Sequence, residues 1–374
     1  MQDAWRHDYS LAGQWRLLPW GLIFLITLIA IIGFLALYSA GGGLQPYALK
    51  HAVRFGIGLI IMFAAAFVPL HWWRRLAWPI YVVSVAMLIF VDVKGHVGMG
   101  AQRWINLGFV KLQPSELMNI ALVLALAAFY ERREPYISSR PMQLVIPLLT
   151  IFVPVALVVI QPDLGTGLKL SAVGLCVMLL AGVGWWFFIT GFVLAIPAGF
   201  VGWHFLRDYQ KNRVLTFLNP ESDPLGAGYH VTQSMIAFGS GGIGGKGYMQ
   251  GSQSRLNFLP EKQTDFIFTL WNEEWGFVGG VFLLLLFASV VAYGYMLAGQ
   301  ARQPFARLVI IGLTLNISLY VIINTGMVMG LMPVVGIPLP LVSHGGTVMW
   351  SVLLAFGIIL CCATYRERSG RYFG

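Results

Sequence analysis

Long apolar runs separated by short polar connections dominate this chain. A helix needs about 20 apolar residues to cross the hydrocarbon core of a bilayer. Ten runs approach or exceed that length, at about 19–39, 51–69, 77–92, 115–130, 143–160, 165–184, 185–206, 266–298, 307–330 and 345–364. They predict an all-α integral membrane protein, a single polytopic domain over residues 1–374 with ten transmembrane helices. The sixth and seventh runs are the least clearly separated. No Asp, Glu, Lys or Arg occurs from Ser171 to Leu206, and only Gly182-Val183-Gly184-Trp185-Trp186 breaks the stretch. The run at 266–298 is long enough to tilt or to project beyond the bilayer. The first, Leu17 to Tyr38, is too long for a cleavable signal peptide and no A-x-A-like site follows it.

The polar connections predict an orientation. With an even number of spans both termini share a side. That side carries Arg6, Arg16, Arg74, Arg75, Arg132, Arg133, Arg140, Arg302, Arg307, Arg366, Arg368 and Arg371 against few acids. Basic short loops favour the cytoplasm, so both termini are expected there. The opposite side then holds a large extracytoplasmic loop, 207–265, between spans seven and eight. It contains a turn-rich stretch, Asn219 to Gly226, and a glycine-dense one, Gly239 to Gly247. Between them, Val231 to Phe238 reads as a short helix lying on or dipping into the membrane. Residues 93–114 form a second outer segment.

Composition agrees. Of 374 residues, 58% are hydrophobic and 10% charged, against roughly 25% charged in soluble proteins. A soluble enzyme, a secreted disulfide scaffold and a disordered chain are excluded. The net charge of +9 follows in part from topology, which weakens any nucleic-acid reading. Cys176, Cys361 and Cys362 lie in apolar runs with no zinc or disulfide spacing, and the scattered His51, His71 and His96 have no metal spacing either. Tryptophans near the span ends fit an interfacial belt.

Ionisable groups in or beside spans point to function. Here they are Glu116, Asp163, Lys169, Asp265, Glu273 and Glu274, all in the outer halves of the predicted spans. Each also has a structural reading. Glu116 follows Pro114 at a helix start, where a negative charge is favoured. Asp163 and Asp265 each precede an apolar run and could cap it. Glu273 and Glu274 could form ion pairs or serve chemistry. The Gly239–Gly247 stretch is no Walker loop, although its amides and Lys246 could hold phosphate.

Several segments together resemble the SEDS family. They are Gly100-Ala101-Gln102-Arg103-Trp104, Gln113-Pro114-Ser115-Glu116, Gln161-Pro162-Asp163-Leu164-Gly165-Thr166, Leu259 to Phe268, Glu273-Glu274-Trp275-Gly276 and Gly336 to Ser343. The stretch Pro220 to His230 and the short N-terminal tail are similar to the RodA-like branch rather than the FtsW division branch. The resemblance implies a ten-helix fold and a peptidoglycan glycosyltransferase that polymerises lipid II during side-wall elongation in the bacterial inner membrane. It implies a class B penicillin-binding protein as transpeptidase partner, other elongation-complex proteins, and a lipid-linked glycan strand as second substrate.

The family's essential outer-loop aspartate falls on Asp265, and further functional positions on Glu116, Asp163, Arg213 and Ser343. Arg103 and Trp104 match the motif of the second outer segment. Two positions depart from the family pattern. Asn119 stands where a lysine often follows the Q-P-x-E motif, with Lys111 as a candidate substitute, and His344 stands where a tyrosine is usual.

In the expected reaction a sugar hydroxyl attacks an anomeric carbon bearing a lipid diphosphate. Asp265 is the expected general base. Diphosphate is a good leaving group that needs cations rather than a dedicated acid. Arg103, Lys111, Arg213 and Lys246 are the candidates, with Glu116, Asp163 and Ser343 positioning substrate. Trp104, Glu273 and Glu274 are support residues, structural or catalytic. A divalent cation, magnesium or manganese, is compatible with Asp265, Asp163 or Glu116; no organic cofactor is called for. The rival readings are a lipid II flippase and a non-catalytic scaffold for the transpeptidase.

Overall fold

The computed structural model describes residues 11–98, 101–106, 111–131, 141–205, 208–219, 226–255 and 262–370. Gly100, Pro220 to Leu225, Leu259 to Glu261, and the basic positions Arg6, Arg132, Arg133, Arg140 and Arg371 lie outside them.

A short helix, α1 (Leu11–Leu17), leads into α2 (Trp20–Gly41). A π-helical turn at Leu44–Ala48 then joins α3 (Leu49–Phe67), followed by α4 (Leu70–Lys94). Three short strands come next, β1 (His96–Gly98), β2 (Ala101–Asn106) and β3 (Lys111–Leu112). The chain continues through α5 (Pro114–Tyr130), α6 (Pro141–Ile160), α7 (Leu164–Leu180) and α8 (Trp185–Phe205). Then come α9 (Asp208–Leu218), α10 (Ala227–Gly241), α11 (Ser252–Arg255), α12 (Ile267–Gln300), α13 (Pro304–Val328) and α14 (Thr347–Gly370).

The ten apolar runs are thus ten helices. Seven are long and apolar enough to cross a membrane, while α5, α7 and the apolar part of α8 are shorter. Among the shorter ones α5 is central: every residue from Met118 to Ala127 is buried. A helix apolar on all sides is an interior helix. It packs against α4 and α13, with α7 and α6 alongside, while α14 lies along α3 and α12 along α13.

The weak boundary between the sixth and seventh runs is a true helix end. Gly182 takes φ +99°, and Gly182 and Val183 return their N–H groups to the carbonyls of Leu179 and Met178. A left-handed residue just past a helix, closed by such bonds, is a common C-terminal stop, and glycine adopts it without steric cost.

Three features differ from the sequence expectation. The second outer segment carries a three-stranded antiparallel sheet, β1-β2-β3, where only helices and loops were expected. The run at 266–298 is one long element with a break: Gly276 sits at φ +65°, ψ −166° inside α12. In the segment 207–265 the described residues are largely helical or docked on other elements. Its helix α10 starts earlier and ends later than Val231 to Phe238, packs on α12, and is tied down by Ser234, whose hydroxyl pairs with Thr269 at 2.7 Å and donates to the Val328 carbonyl at 2.9 Å.

The break in α12 has a clear cause. The glycine-dense stretch docks into it through backbone bonds. Phe277 and Val278 donate to the carbonyls of Gly242 and Ile243, and Lys246 and Gly247 donate to those of Glu273 and Glu274. A Cβ on Gly245 would collide with the Glu274 carbonyl, so glycine is required for this approach. No disulfide joins the cysteines among the described residues; Cys361 and Cys362 are buried.

Candidate active site

One cavity of about 220 Å³ gathers the residues of five sequence segments. Arg103, Trp104, Gln113, Glu116, Asp163, Thr166, Lys169, Thr264, Asp265, Gly336, His344 and Gly346 line it.

The β-sheet positions Arg103 and Trp104. His96 pairs with Trp104, and Val97 with Gln102, so Arg103 is the extra residue of a bulge. Successive side chains on a regular strand point to opposite faces; a bulge re-aims one of them. Both Arg103 and Trp104 therefore reach the cavity. The Arg103 guanidinium clamps the α6–α7 turn. It donates from Nε to the Gln161 carbonyl at 3.2 Å and from Nη2 to the Pro162 carbonyl, and faces Asp163 Oδ2 at 3.6 Å.

Within that turn several motif residues have definite roles. Gln161 anchors it to α4 by donating to the Leu88 carbonyl at 3.0 Å. Asp163 caps α7, accepting the Thr166 N–H at 3.2 Å. A Cβ on Gly165 would strike Val335, so glycine lets α7 meet the 330s loop. Asp163 is thus both the cap and part of the cavity wall, 6% exposed. Glu116 likewise sits in the first turn of α5, 5% exposed, and accepts a short hydrogen bond from the Tyr320 hydroxyl.

Asp265 is half-buried just before α12. Asn324 fixes its backbone, donating to the Asp265 carbonyl at 2.9 Å and to the Ile337 carbonyl at 2.7 Å. Gly336, at φ +74°, passes beside the carboxylate; a Cβ there would stand 3.3 Å from Asp265 Oδ2. Ser343 lies behind the wall rather than in it. Its hydroxyl donates to the Thr264 carbonyl at 2.6 Å and accepts the Leu339 N–H at 2.8 Å. Replacing Ser343 by alanine leaves that buried N–H without its acceptor, at about 1–3 kcal/mol. A lower thermal midpoint and a slower turnover per folded molecule are expected; an unchanged midpoint would contradict the bracing role.

His344 does not act as a titrating group near neutral pH. Its Nε2 stands 3.2 Å from Arg54 Nη1. Arginine only donates, so Nε2 is the acceptor and the proton is assigned to Nδ1. Burial, then Arg54, Lys50 and His51, pull this imidazole down to about 4.

Five expected cation or support positions fall elsewhere. Lys111 is exposed on β3 and does not line the cavity, so it does not replace a charge at Asn119. The ammonium beside Glu116 in the cavity lining belongs to Lys169 on α7. Arg213 lines a separate pocket with Thr216, Val231 and Met235. Lys246 is paired at 2.8 Å with Glu273, which is 0% exposed and also accepts from Ser252 and the Gln253 N–H. The amides of Lys246 and Gly247 are already engaged, so this loop does not form a phosphate cradle. Glu274 accepts a short bond from Ser39 on α2. Glu273 and Glu274 therefore hold α12, the glycine-dense loop and α2 together.

Sequence reasoning misses Tyr320 and Asn324, both on α13, and gives Lys169 no role. The available signal was polarity inside an apolar run: Asn316, Ser318, Tyr320, Asn324 and Thr325 are all buried on α13. Among the described residues no three His, Cys, Asp or Glu side chains stand close enough to share a metal ion.

The chain is similar to known proteins over nearly all of its length. The family profile described as cell cycle protein, FtsW/RodA/SpoVE, matches residues 16–368. The chain is 41% identical over 354 residues to the peptidoglycan glycosyltransferase MrdB of Escherichia coli K12, covering 93% of this chain and 94% of that protein. A solved chain from a peptidoglycan synthase complex that coordinates polymerisation and crosslinking is 35% identical with a TM-score of 0.82, covering 94% of this chain and 99% of its own. The rod shape determining protein RodA of Thermus thermophilus superposes with a TM-score of 0.71 at 30% identity, covering 93% and 97%. A multi-pass helical bundle that matches the family profile over nearly its whole length and folds as solved members do belongs with them: the chain is a member of the FtsW/RodA/SpoVE (SEDS) family of peptidoglycan glycosyltransferases, of the RodA/MrdB type.

Proposed function

We propose that this glycosyltransferase polymerises lipid II at the outer face of the bacterial cytoplasmic membrane during cell elongation, with both termini in the cytoplasm. The observation that carries the reading is the convergence of charge on one cavity. Asp265 and Arg103 stand on its wall, and the first turns of α5, α7 and α14 and the lead-in to α12 line it. Helix N-termini carry partial positive charge and orphan N–H groups, which favour a bound anion.

The lipid diphosphate of the donor would be held by Arg103 and the start of α14, since Asp163 already caps α7 and Glu116 occupies the first turn of α5. Asp265 would take the proton of the acceptor 4-hydroxyl as its oxygen attacks the anomeric carbon. The new C–O bond forms as the bond to the diphosphate breaks, and direct displacement inverts that carbon. Since no protein set of three ligands is present among the described residues, a magnesium or manganese ion would be held by Asp265, Asp163 or Glu116 only with help from substrate oxygens.

We assign a class B penicillin-binding protein as the partner that crosslinks the product. The solved relative in a synthase complex that joins polymerisation to crosslinking supports this. The test is polymer formation from labelled lipid II by the purified chain with that partner, with and without a divalent ion. Glycan chains with release of undecaprenyl diphosphate are expected. Transbilayer movement of lipid II in vesicles without polymer would favour a flippase instead, and inactivity of every preparation that still binds the partner would favour a scaffold.

A further inference from the structure

Lys169 has no part in the mechanism above, yet it lines the same cavity with Glu116, Asp163 and Thr166. It lies between one and two turns into α7 and is 1% exposed. Side chains on a helix lean towards its N-terminus, so the aliphatic stem carries the ammonium up towards the cavity, as long cationic side chains do when their backbone is deep. The position is unfavourable for a cation taken alone. It is removed from water and close to the positive end of its own helix.

Glu116 and Asp163 are its charged neighbours. Neither forms an ion pair with it within 4.0 Å. Its close partner among the described residues is the face of Tyr320, with Nζ 3.2 Å from the ring centroid. An ammonium has three donors and no acceptor, and a ring face satisfies one direction. The acids are engaged elsewhere. Glu116 accepts the Tyr320 hydroxyl; Asp163 accepts the Thr166 N–H and faces Arg103. Carboxylates only accept, so of these three groups the ammonium alone can offer donors to an anion entering the cavity.

We propose that Lys169 is an anion-binding residue of this site, its ammonium taking a non-bridging oxygen of the donor's diphosphate while Arg103 serves from the β-sheet side. The proposal rests on the reading of the chain as a lipid II polymerase. As the bond from the anomeric carbon to the diphosphate breaks, negative charge grows on the departing oxygens, and a fixed ammonium stabilises it without reorganising. Lys169 forms no covalent bond and keeps its proton; the acceptor's proton goes to Asp265.

The test uses the full chain with its transpeptidase partner and labelled lipid II. Lys169→Met keeps the length and removes the charge. Its kcat/KM is expected to fall about 100-fold, the scale for losing one donor to a developing anion. Inhibition by added undecaprenyl diphosphate is expected to weaken about tenfold, and inhibition by undecaprenyl monophosphate much less. Asn119 is buried one turn after Glu116, and its Oδ1 has no hydrogen-bond partner among the described residues. Asn119→Lys in the Lys169→Met background brings a cation back from the neighbouring helix, and partial recovery of diphosphate inhibition supports the proposal. A folded Lys169→Met with wild-type kcat/KM overturns it. So does one that loses activity while undecaprenyl diphosphate inhibits or binds it as strongly as wild type, since that is the signature of a purely structural lysine. Should Lys169→Met not fold, Lys169→Gln carries the same measurements with the same expected and overturning results. A wild-type chain that makes no polymer would instead refute the polymerase reading itself.

Discussion

Asp265→Asn is expected to lower the rate of glycan polymerisation by about 10²–10⁴-fold, the usual contribution of a positioned general base. The substitution is nearly isosteric. It leaves the backbone carbonyl of residue 265 bonded to Asn324 and the passage of Gly336 undisturbed. The folded cavity should therefore survive while the proton acceptor is lost. The measurement is initial-rate polymerisation of labelled lipid II, with partner binding and the thermal midpoint as controls. A folded, partner-bound Asp265→Asn protein that polymerises within a few-fold of wild type would remove Asp265 from the base role.

The second large effect concerns stability. Lys246→Met is expected to destabilise the protein by about 3–5 kcal/mol, the range for removing one partner of a buried ion pair. The lower end applies, because the Lys246 side chain is 26% exposed and Glu273 keeps its bonds from Ser252 and the Gln253 N–H. Glu273 is 0% exposed, so its charge would be left without its countercharge beside the break in α12. Adding Glu273→Gln should recover much of the loss, and a double-mutant cycle on the unfolding midpoint measures the coupling. Turnover per folded molecule should change little, because neither residue lines the cavity. An unchanged midpoint with a strongly reduced rate would return Lys246 to the list of diphosphate ligands.

These two residues show where sequence reasoning reached and where it stopped. Asp265, Glu116 and Asp163 were legible because they interrupt apolar runs at points where a charge is costly. Their partners came from distant parts of the chain and left no local trace. Glu116 meets Tyr320 across 204 positions, and Asp163 meets Arg103 across a strand bulge. Lys246 stood in a glycine-dense stretch that locally suits an anion as well as a tight turn. Only the docking of that stretch into the Gly276 break decided between them, since it engaged both the ammonium and the neighbouring amides. Lys111 and Lys169 show the reverse error. Proximity in sequence to Glu116 favours the exposed lysine as the substitute for a charge at Asn119, whereas the buried one on another helix reaches the cavity.

The sequence by itself determined the class of protein, the ten helices and the end of the bundle where the acids lie. Each follows from local rules: about 20 apolar residues per crossing and the cost of a buried charge. Tertiary structure alone decided which charges share a cavity and which ones hold the fold together. Ion pairs and hydrogen bonds are short-ranged and directional, so a group's role depends on the atoms within a few ångströms of it, and in a helical bundle those atoms come from helices far apart along the chain.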